Sequence, residues 1–264
     1  MRKITLKLCG VVVMLAAWSC STHRYQVTSV EKSRLLIDSR YDAKPNQDAF
    51  AFLAPYKQAV DSAMSPVVGT TARYMAASRP ESELSNLLAD ILIWGAQAFN
   101  EKPDFAVYNM GGIRAAFAKG DITVGEVIDV APFENKICFV TLSGADVMEL
   151  FHQMARRYGE GVSSGVELLL SPEGELLSAC LKGEEIDPQK QYRIATLDYL
   201  AQGNDGMPAF KKGTDVLSPQ TEENNVRYII MNYFREQTAQ GKAVDAQKEG
   251  RIVVDGRPDF KEGH

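Results

Sequence analysis

The sequence predicts an α+β domain, a mixed β-sheet with flanking helices, and three observations carry that expectation. Short apolar runs of strand type and longer runs of helical period alternate irregularly, without the strict strand–helix order of a doubly wound sheet. Residues 166–171 and 176–181 are apolar runs joined by Pro-Glu-Gly-Glu, the pattern of a hairpin. Leu84, Leu87, Leu88, Ile91, Leu92, Gly95, Ala98 and Phe99 recur at spacings of three and four, which gives a long amphipathic helix one apolar face.

Length and composition bound the rest. At 264 residues, 45% hydrophobic and 24% charged, the chain has material for one sizeable domain, with or without an appendage. Residues 1–19 read as a targeting leader: Arg2, Lys3 and Lys7 precede an apolar run, 8–17, too short to span a bilayer. The ending Ala17-Trp18-Ser19-Cys20 resembles a bacterial lipobox, which makes Cys20 a lipidation site and the mature chain a lipid-anchored protein of the bacterial cell envelope. The alternative is a soluble secreted chain cut nearby. The formal net charge of -5 gives no general attraction for a nucleic-acid backbone, so polymeric DNA or RNA is not an expected partner.

Taken in order, residues 20–64 read as a tether and helical lead-in, with a candidate strand at 25–30. A helix over 48–64 shows Phe52, Tyr56, Ala59, Val60 and Ala63 on one side, and Pro55 suggests that it begins there. The domain proper is expected over 65–256, with 257–264 as a tail. It opens with a strand at 66–75, and Ser78 with Glu81 then reads as a capping box ahead of the long helix. Residues 105–108 form a buried strand. Thr123 with Glu126 is a second capping box, for a short helix that Pro132 stops.

A strand at 136–142 follows. Ser143 caps a helix that buries Val147, Leu150, Phe151, Met154 and Tyr158, ends at Gly159 and leaves His152 on the surface. Further on come a strand at 192–197, a helix capped by Thr221 and running through Phe234, and a last strand at 251–255. With Cys9 in the leader and Cys20 acylated, Cys138 and Cys180 remain. They are expected as two buried free thiols, although an oxidising envelope would let them pair if adjacent. No C-x-x-C occurs and His23, His152 and His264 are scattered, so zinc is not an expected ligand.

The stretch 104–133, DFAVYNMGGIRAAFAKGDITVGEVIDVAPF, organises the rest. An apolar strand delivers Asn109, Gly111, Gly112 and Arg114 to one turn: an amide, two residues that let a ligand approach the main chain, and a five-donor guanidinium. Either this is a polar binding edge or a tight turn with a solvated arginine. NMGGIR followed by GDIT and PF, ESELSNLLAD at 81–90 and DYLAQGNDGM at 198–207 resemble, in the same order, the motifs of the 5'-nucleotidase C-terminal domain family. Met110 stands where that family usually has a glycine.

The resemblance implies a nucleoside pocket and a mixed-sheet fold of that family's type. By motif, Phe133 and Tyr199 would sandwich the base, stacking being worth on the order of 1 to 3 kcal/mol per base. Asp205 would accept from the ribose hydroxyls, Asn109 would meet the base edge, and Arg114 the ribose or phosphate. Gly165 would approach the base through its backbone. Arg79, one place displaced by Pro80 from the family's usual arginine, would lie at the same pocket. The bland readings stay open: core aromatics for Phe133 and Tyr199, a turn residue in Asn-Asp-Gly for Asp205, a cap for Glu81.

Full-length relatives of this family, by the same resemblance, hydrolyse phosphoesters in a separate metallophosphatase domain through Asp-x-His, Asn-His and His-x-His motifs. None of these strings occurs here, and two-metal hydrolysis needs such ligands. The expected function is therefore the nucleotide-recognising half of a 5'-nucleotidase-type phosphohydrolase, with no cofactor and no catalytic or metal residue of its own. Divalent metal ions would sit in a separate metallophosphatase partner. The alternative is a non-catalytic surface protein that binds nucleosides or nucleotides, and a third reading is a relic with an unused pocket.

Overall fold

The computed structural model describes residues 25–41 and 46–256. The expected leader, Cys20 and the tail at 257–264 lie outside the described residues. The chain divides into two units, Met1–Phe52 and Leu53–His264. In the first, the candidate strand at 25–30 is not formed: that segment is exposed and irregular. A 3-10 turn, Ser39–Tyr41, follows it, with Arg40 donating to Asp38.

Helix α1, Gln47–Met64, begins well before Pro55. The Asn46 side chain accepts from the Ala49 amide and caps it, so the proline sits inside the helix instead of opening it. Phe50, Leu53 and Val60 on this helix remain more than half exposed.

The second unit holds three sheets with helices against them. β1, Val67–Thr71, pairs antiparallel with β3, Gly120–Thr123. β1 ends at Thr71, short of the expected 75, because Ala72 turns to donate to Val244 and Met75 pairs with Phe117. The central five-stranded sheet contains β2 (Phe105–Tyr108), β4 (Ile137–Ser143), β5 (Gly161–Val162), β9 (Gln191–Leu197) and β10 (Thr214–Leu217), in the order β10-β4-β9-β2-β5. β2 runs parallel to β9, and the other neighbours are antiparallel. A third sheet contains β6 (Val166–Leu170), β7 (Leu176–Leu181), β8 (Glu184–Glu185) and β11 (Ile252–Val254), in the order β11-β6-β7-β8. It carries the expected hairpin, and β11 joins it parallel to β6.

The amphipathic helix α2, Glu83–Gly95, buries Leu84, Leu87, Leu88, Ile91 and Leu92 and packs on β2 and β5. A 3-10 turn, Ala96–Phe99, prolongs it. α3, Val124–Val130, has the expected Thr123–Glu126 capping box. α4, Gly144–Ala155, is capped by Ser143 and buries Val147, Leu150, Phe151 and Met154, while His152 is exposed. The last long helix, Val226–Ala239, is capped by Asn225. Thr221 opens only the 3-10 turn Glu222–Asn224, a correction that follows from the Asn225 side chain accepting from Arg227. α5 is Asp198–Ala201 and α6 is Val226–Ala239. Phe105 meets Phe151 and Phe117 meets Phe234 across a core that links α4, α6 and the sheets.

Cys138 lies in β4 and Cys180 in β7, on different sheets, and both are free thiols. Cys138 is buried, which pushes its thiol up to about 11, while Cys180 is only half-buried. The expectation of two buried thiols thus holds for one of them.

Candidate functional site

β2 is buried along its whole length, and its last residue hands the chain to Asn109, still extended and 3% exposed. The chain then tightens into a 3-10 turn, Met110–Gly112, in which Gly112 donates to the Asn109 carbonyl at 3.0 Å. Gly112 is required by space: a Cβ there would stand 2.6 Å from Asn109 Oδ1. That oxygen is buried and has no hydrogen-bond partner among the described residues. The other end of the amide is engaged. Asn109 Nδ2 donates to Asp205 Oδ2 at 2.6 Å.

Asp205 comes from the loop after α5 and sits at φ +53°, left-handed backbone that an aspartate tolerates better than most residues. Its second oxygen, Oδ1, accepts from the Tyr199 hydroxyl at 3.2 Å. Asn204 ties the loop on itself by donating to the Tyr199 carbonyl at 2.8 Å. The Asp205 charge, with burial and the hydrogen bond adding to it, raises the Tyr199 phenol above its ordinary range. Tyr199 therefore remains a neutral donor at ordinary pH.

Phe133 lies on the loop between α3 and β4. That loop is held by the start of α6, where Val226 donates to the Asn135 carbonyl at 2.9 Å and Arg227 to the Pro132 carbonyl at 2.6 Å. Asn109, Gly111, Phe133, Asn135, Tyr199 and Asp205 line one cleft of about 170 Å³, open to solvent. Phe133 is 49% and Tyr199 37% exposed, so neither ring is a core aromatic. Two π-faces, two amides and a carboxylate offer stacking together with both donors and acceptors.

Of the residues singled out from sequence, Asn109, Gly111, Phe133, Tyr199 and Asp205 thus share the cleft, and Gly112 shapes it from the turn. Arg114 stands exposed just past the turn, with a guanidinium nitrogen 3.4 Å from the Gly111 carbonyl. Gly165 is elsewhere: it precedes β6 at φ +90°, and its carbonyl is taken by the Lys182 amide. Arg79 is also not a lining residue, because its guanidinium is bound to the Gly159 carbonyl and to Glu160.

Glu81 does not cap α2 with Ser78. Ser82 does so with Ser85, and the buried Glu81 carboxylate accepts from Asn86 and from the Glu249 and Gly250 amides. Asp90, further along α2, is paired with the buried Arg251. The ESELSNLLAD segment therefore fastens the segment at 249–251 that leads into β11.

Two residues escaped the sequence reading. Asn135 lies two places after Phe133 in the same loop, within reach of a search around the aromatic. Glu160 has a fully enclosed side chain that accepts from the Met110 amide at 2.6 Å and pairs with Arg79 at 2.9 Å and Arg157 at 2.7 Å. Its signal was a carboxylate between two glycines directly after a helix.

With this geometry in place, the family model for the 5'-nucleotidase C-terminal domain matches residues 67–212, more than half of the chain. The chain belongs to that family. It is 29% identical over 236 residues to the cell wall protein Lmo0130 of Listeria monocytogenes, covering 79% of this chain and 29% of that one. It is 30% identical over 166 residues to protein UshA of Escherichia coli, covering 62% and 30% respectively. Among solved structures, the 5'-nucleotidase precursor of Thermus thermophilus superposes with a TM-score of 0.68 at 28% identity, covering 80% of this chain and 44% of that one. The chain thus spans less than half the length of these relatives. The mixed sheets with flanking helices are those of a 5'-nucleotidase C-terminal domain. Among the described residues, no group of three or more His, Cys, Asp or Glu side chains gathers as a metal site.

Proposed function

We propose that this chain is the nucleotide-recognising half of a 5'-nucleotidase-type phosphohydrolase of nucleotide catabolism, working with a separately supplied metallophosphatase that holds the divalent metal ions. The observation that carries the reading is the shared cleft, where Phe133, Tyr199, Asn109 and Asp205 meet. A nucleoside has a flat base and a polyhydroxyl edge. Two exposed rings suit the first, and a carboxylate suits the second. Among the described residues, Asp205 is the only charged one lining the cleft, so the phosphate would project outward past Arg114 toward the partner.

The need for a partner is supported by the lack of the Asp-x-His, Asn-His and His-x-His strings in the sequence. A cell-envelope location with a lipid anchor at Cys20 is part of the same proposal. It is supported by the leader pattern and by the description of Lmo0130 as a cell wall protein.

Two measurements test the reading. Calorimetry on the purified chain should show binding of adenosine, AMP or another nucleoside of the common set. Affinity capture on the chain from its source should bring down a metallophosphatase, and phosphate release from a nucleotide should require both. Nucleoside binding with no phosphatase in any captured fraction would favour a non-catalytic capture protein, and absence of binding to the whole panel would reject both readings.

A further inference from the structure

Asp205 is held from two sides by groups that also line the cleft. Asn109 Nδ2 fixes Oδ2 at 2.6 Å and the Tyr199 hydroxyl fixes Oδ1 at 3.2 Å. The two donors differ in what else they do. Asn109 is buried and belongs to the turn after β2, whereas Tyr199 is an exposed ring that lines the cleft. One hydrogen bond therefore joins a stacking surface to a hydroxyl acceptor six residues further on, within a single loop. A phenylalanine at this position would stack equally well and would leave Oδ1 without its protein donor.

We propose that the Tyr199 hydroxyl is a specificity-determining group that orients the Asp205 carboxylate toward a sugar bearing two adjacent hydroxyls. The pocket would then distinguish ribonucleosides from 2'-deoxyribonucleosides. This rests on the nucleoside reading of the cleft. A carboxylate oxygen has two acceptor positions. With one position on each oxygen occupied by Tyr199 and Asn109, one on each remains, and the pair matches the two donors of a cis-diol. Releasing Oδ1 lets the carboxylate turn and lets water or another hydroxyl compete for it. The Asn109 contact alone fixes only one oxygen, so it cannot set the plane of the group.

The test compares affinities by calorimetry for adenosine, guanosine, cytidine and uridine, each against its 2'-deoxy counterpart. The proteins are the natural chain, Tyr199→Phe, Asp205→Asn and the double variant. The natural chain should prefer the ribonucleoside, and Tyr199→Phe should reduce that preference by about fivefold or more, since hydrogen bonds to charged groups are among the stronger ones. Affinity for the deoxy form, which keeps one of the two hydroxyl donors, should fall by less than affinity for the ribonucleoside. In the Asp205→Asn background the same change at Tyr199 should have no further effect on the ratio.

An unchanged ribo-to-deoxy ratio in Tyr199→Phe, or an equal loss for both sugars, would overturn the proposal while leaving the nucleoside reading intact. Failure of the natural chain to bind either sugar form of any base would instead overturn the nucleoside reading itself.

Discussion

Glu160 holds Met110: its carboxylate, with no exposed side-chain surface, accepts the Met110 amide at 2.6 Å and so sets the first turn of the loop that lines the cleft. The same carboxylate is flanked by Arg79 and Arg157, each about a third exposed. Removing one partner of a buried pair costs roughly 3 to 5 kcal/mol, and the solvent available to the two arginines places this case near the lower end. Glu160→Ala should therefore lower unfolding stability by about 3 kcal/mol, and Glu160→Gln, which keeps an acceptor for Met110, by less. Urea unfolding checks this. A loss under about 1 kcal/mol in the alanine variant would make the pair a surface ornament.

Phe133 and Tyr199 are exposed rings on loops, so their removal should separate binding from stability. Phe133→Ala and Tyr199→Ala should each weaken nucleoside binding by about 1 to 3 kcal/mol. Both should move the unfolding free energy by no more than about 0.5 kcal/mol, as surface changes do. Calorimetry with parallel denaturant curves decides. Unfolding without a change in affinity would mean that the rings serve the fold.

The two glycines of the turn should respond differently to the same methyl group. At Gly112 a Cβ would come within 2.6 Å of Asn109 Oδ1, which is already enclosed, so Gly112→Ala must displace the amide that holds Asp205. At Gly111 the nearest atom to a Cβ is Asp205 Oδ2 at 3.4 Å, an ordinary contact. Gly112→Ala should lose nucleoside affinity at least about tenfold, the scale of one hydrogen bond to a charged group, and Gly111→Ala should lose much less. Equal losses, or the reverse order, would contradict the placement of Asn109.

A pH effect is expected away from the cleft. Arg193 donates to both oxygens of Glu101, at 2.7 and 2.8 Å, and this pairing holds the Glu101 carboxyl below its ordinary value of 4.5. A depressed carboxyl contributes stability that is fully present above the unfolded value and is lost as pH falls through the lower folded one. The gap in urea midpoint between the natural chain and Glu101→Gln should therefore be constant from pH 7 to about pH 5 and close as pH falls below about 4.5. A gap that widens on acidification would reverse the assigned sign.

Much of the fold was legible because its signals are local. The period of α2, the Thr123–Glu126 box, the Ser143 cap and the 166–181 hairpin each follow from residues within a few places of one another. What was not legible depends on distant partners. Glu81 looked like a cap because Ser78 is near in sequence, yet its acceptors are filled by Asn86 and by amides at 249 and 250, which no local pattern connects to it. Arg79 looked like a ligand and is instead bound to Glu160. Thr221 and Asn225 are both good caps, and only the path of the chain decides between them. Motif resemblance singled out Phe133, Tyr199 and Asp205, which the fold brings to one cleft; Asn135, two places after Phe133, carries no motif of its own and joins them through the fold of its loop against α6.

The position of β11 beside β6 bears on the order in which the molecule can assemble. Ile252, Val253 and Val254 pair with Leu168, Leu169 and Leu170, Val244 pairs with Thr71, and Arg251 reaches back to Asp90 and Val162. Such wide sequence separations slow folding, because distant segments must meet before they stabilise each other. We expect the growing polypeptide to stay protease-sensitive on the ribosome until residue 254 has emerged, which limited digestion of stalled nascent chains would measure; early resistance would refute it. Late closure of this kind would leave the domain open to other factors while it is being made.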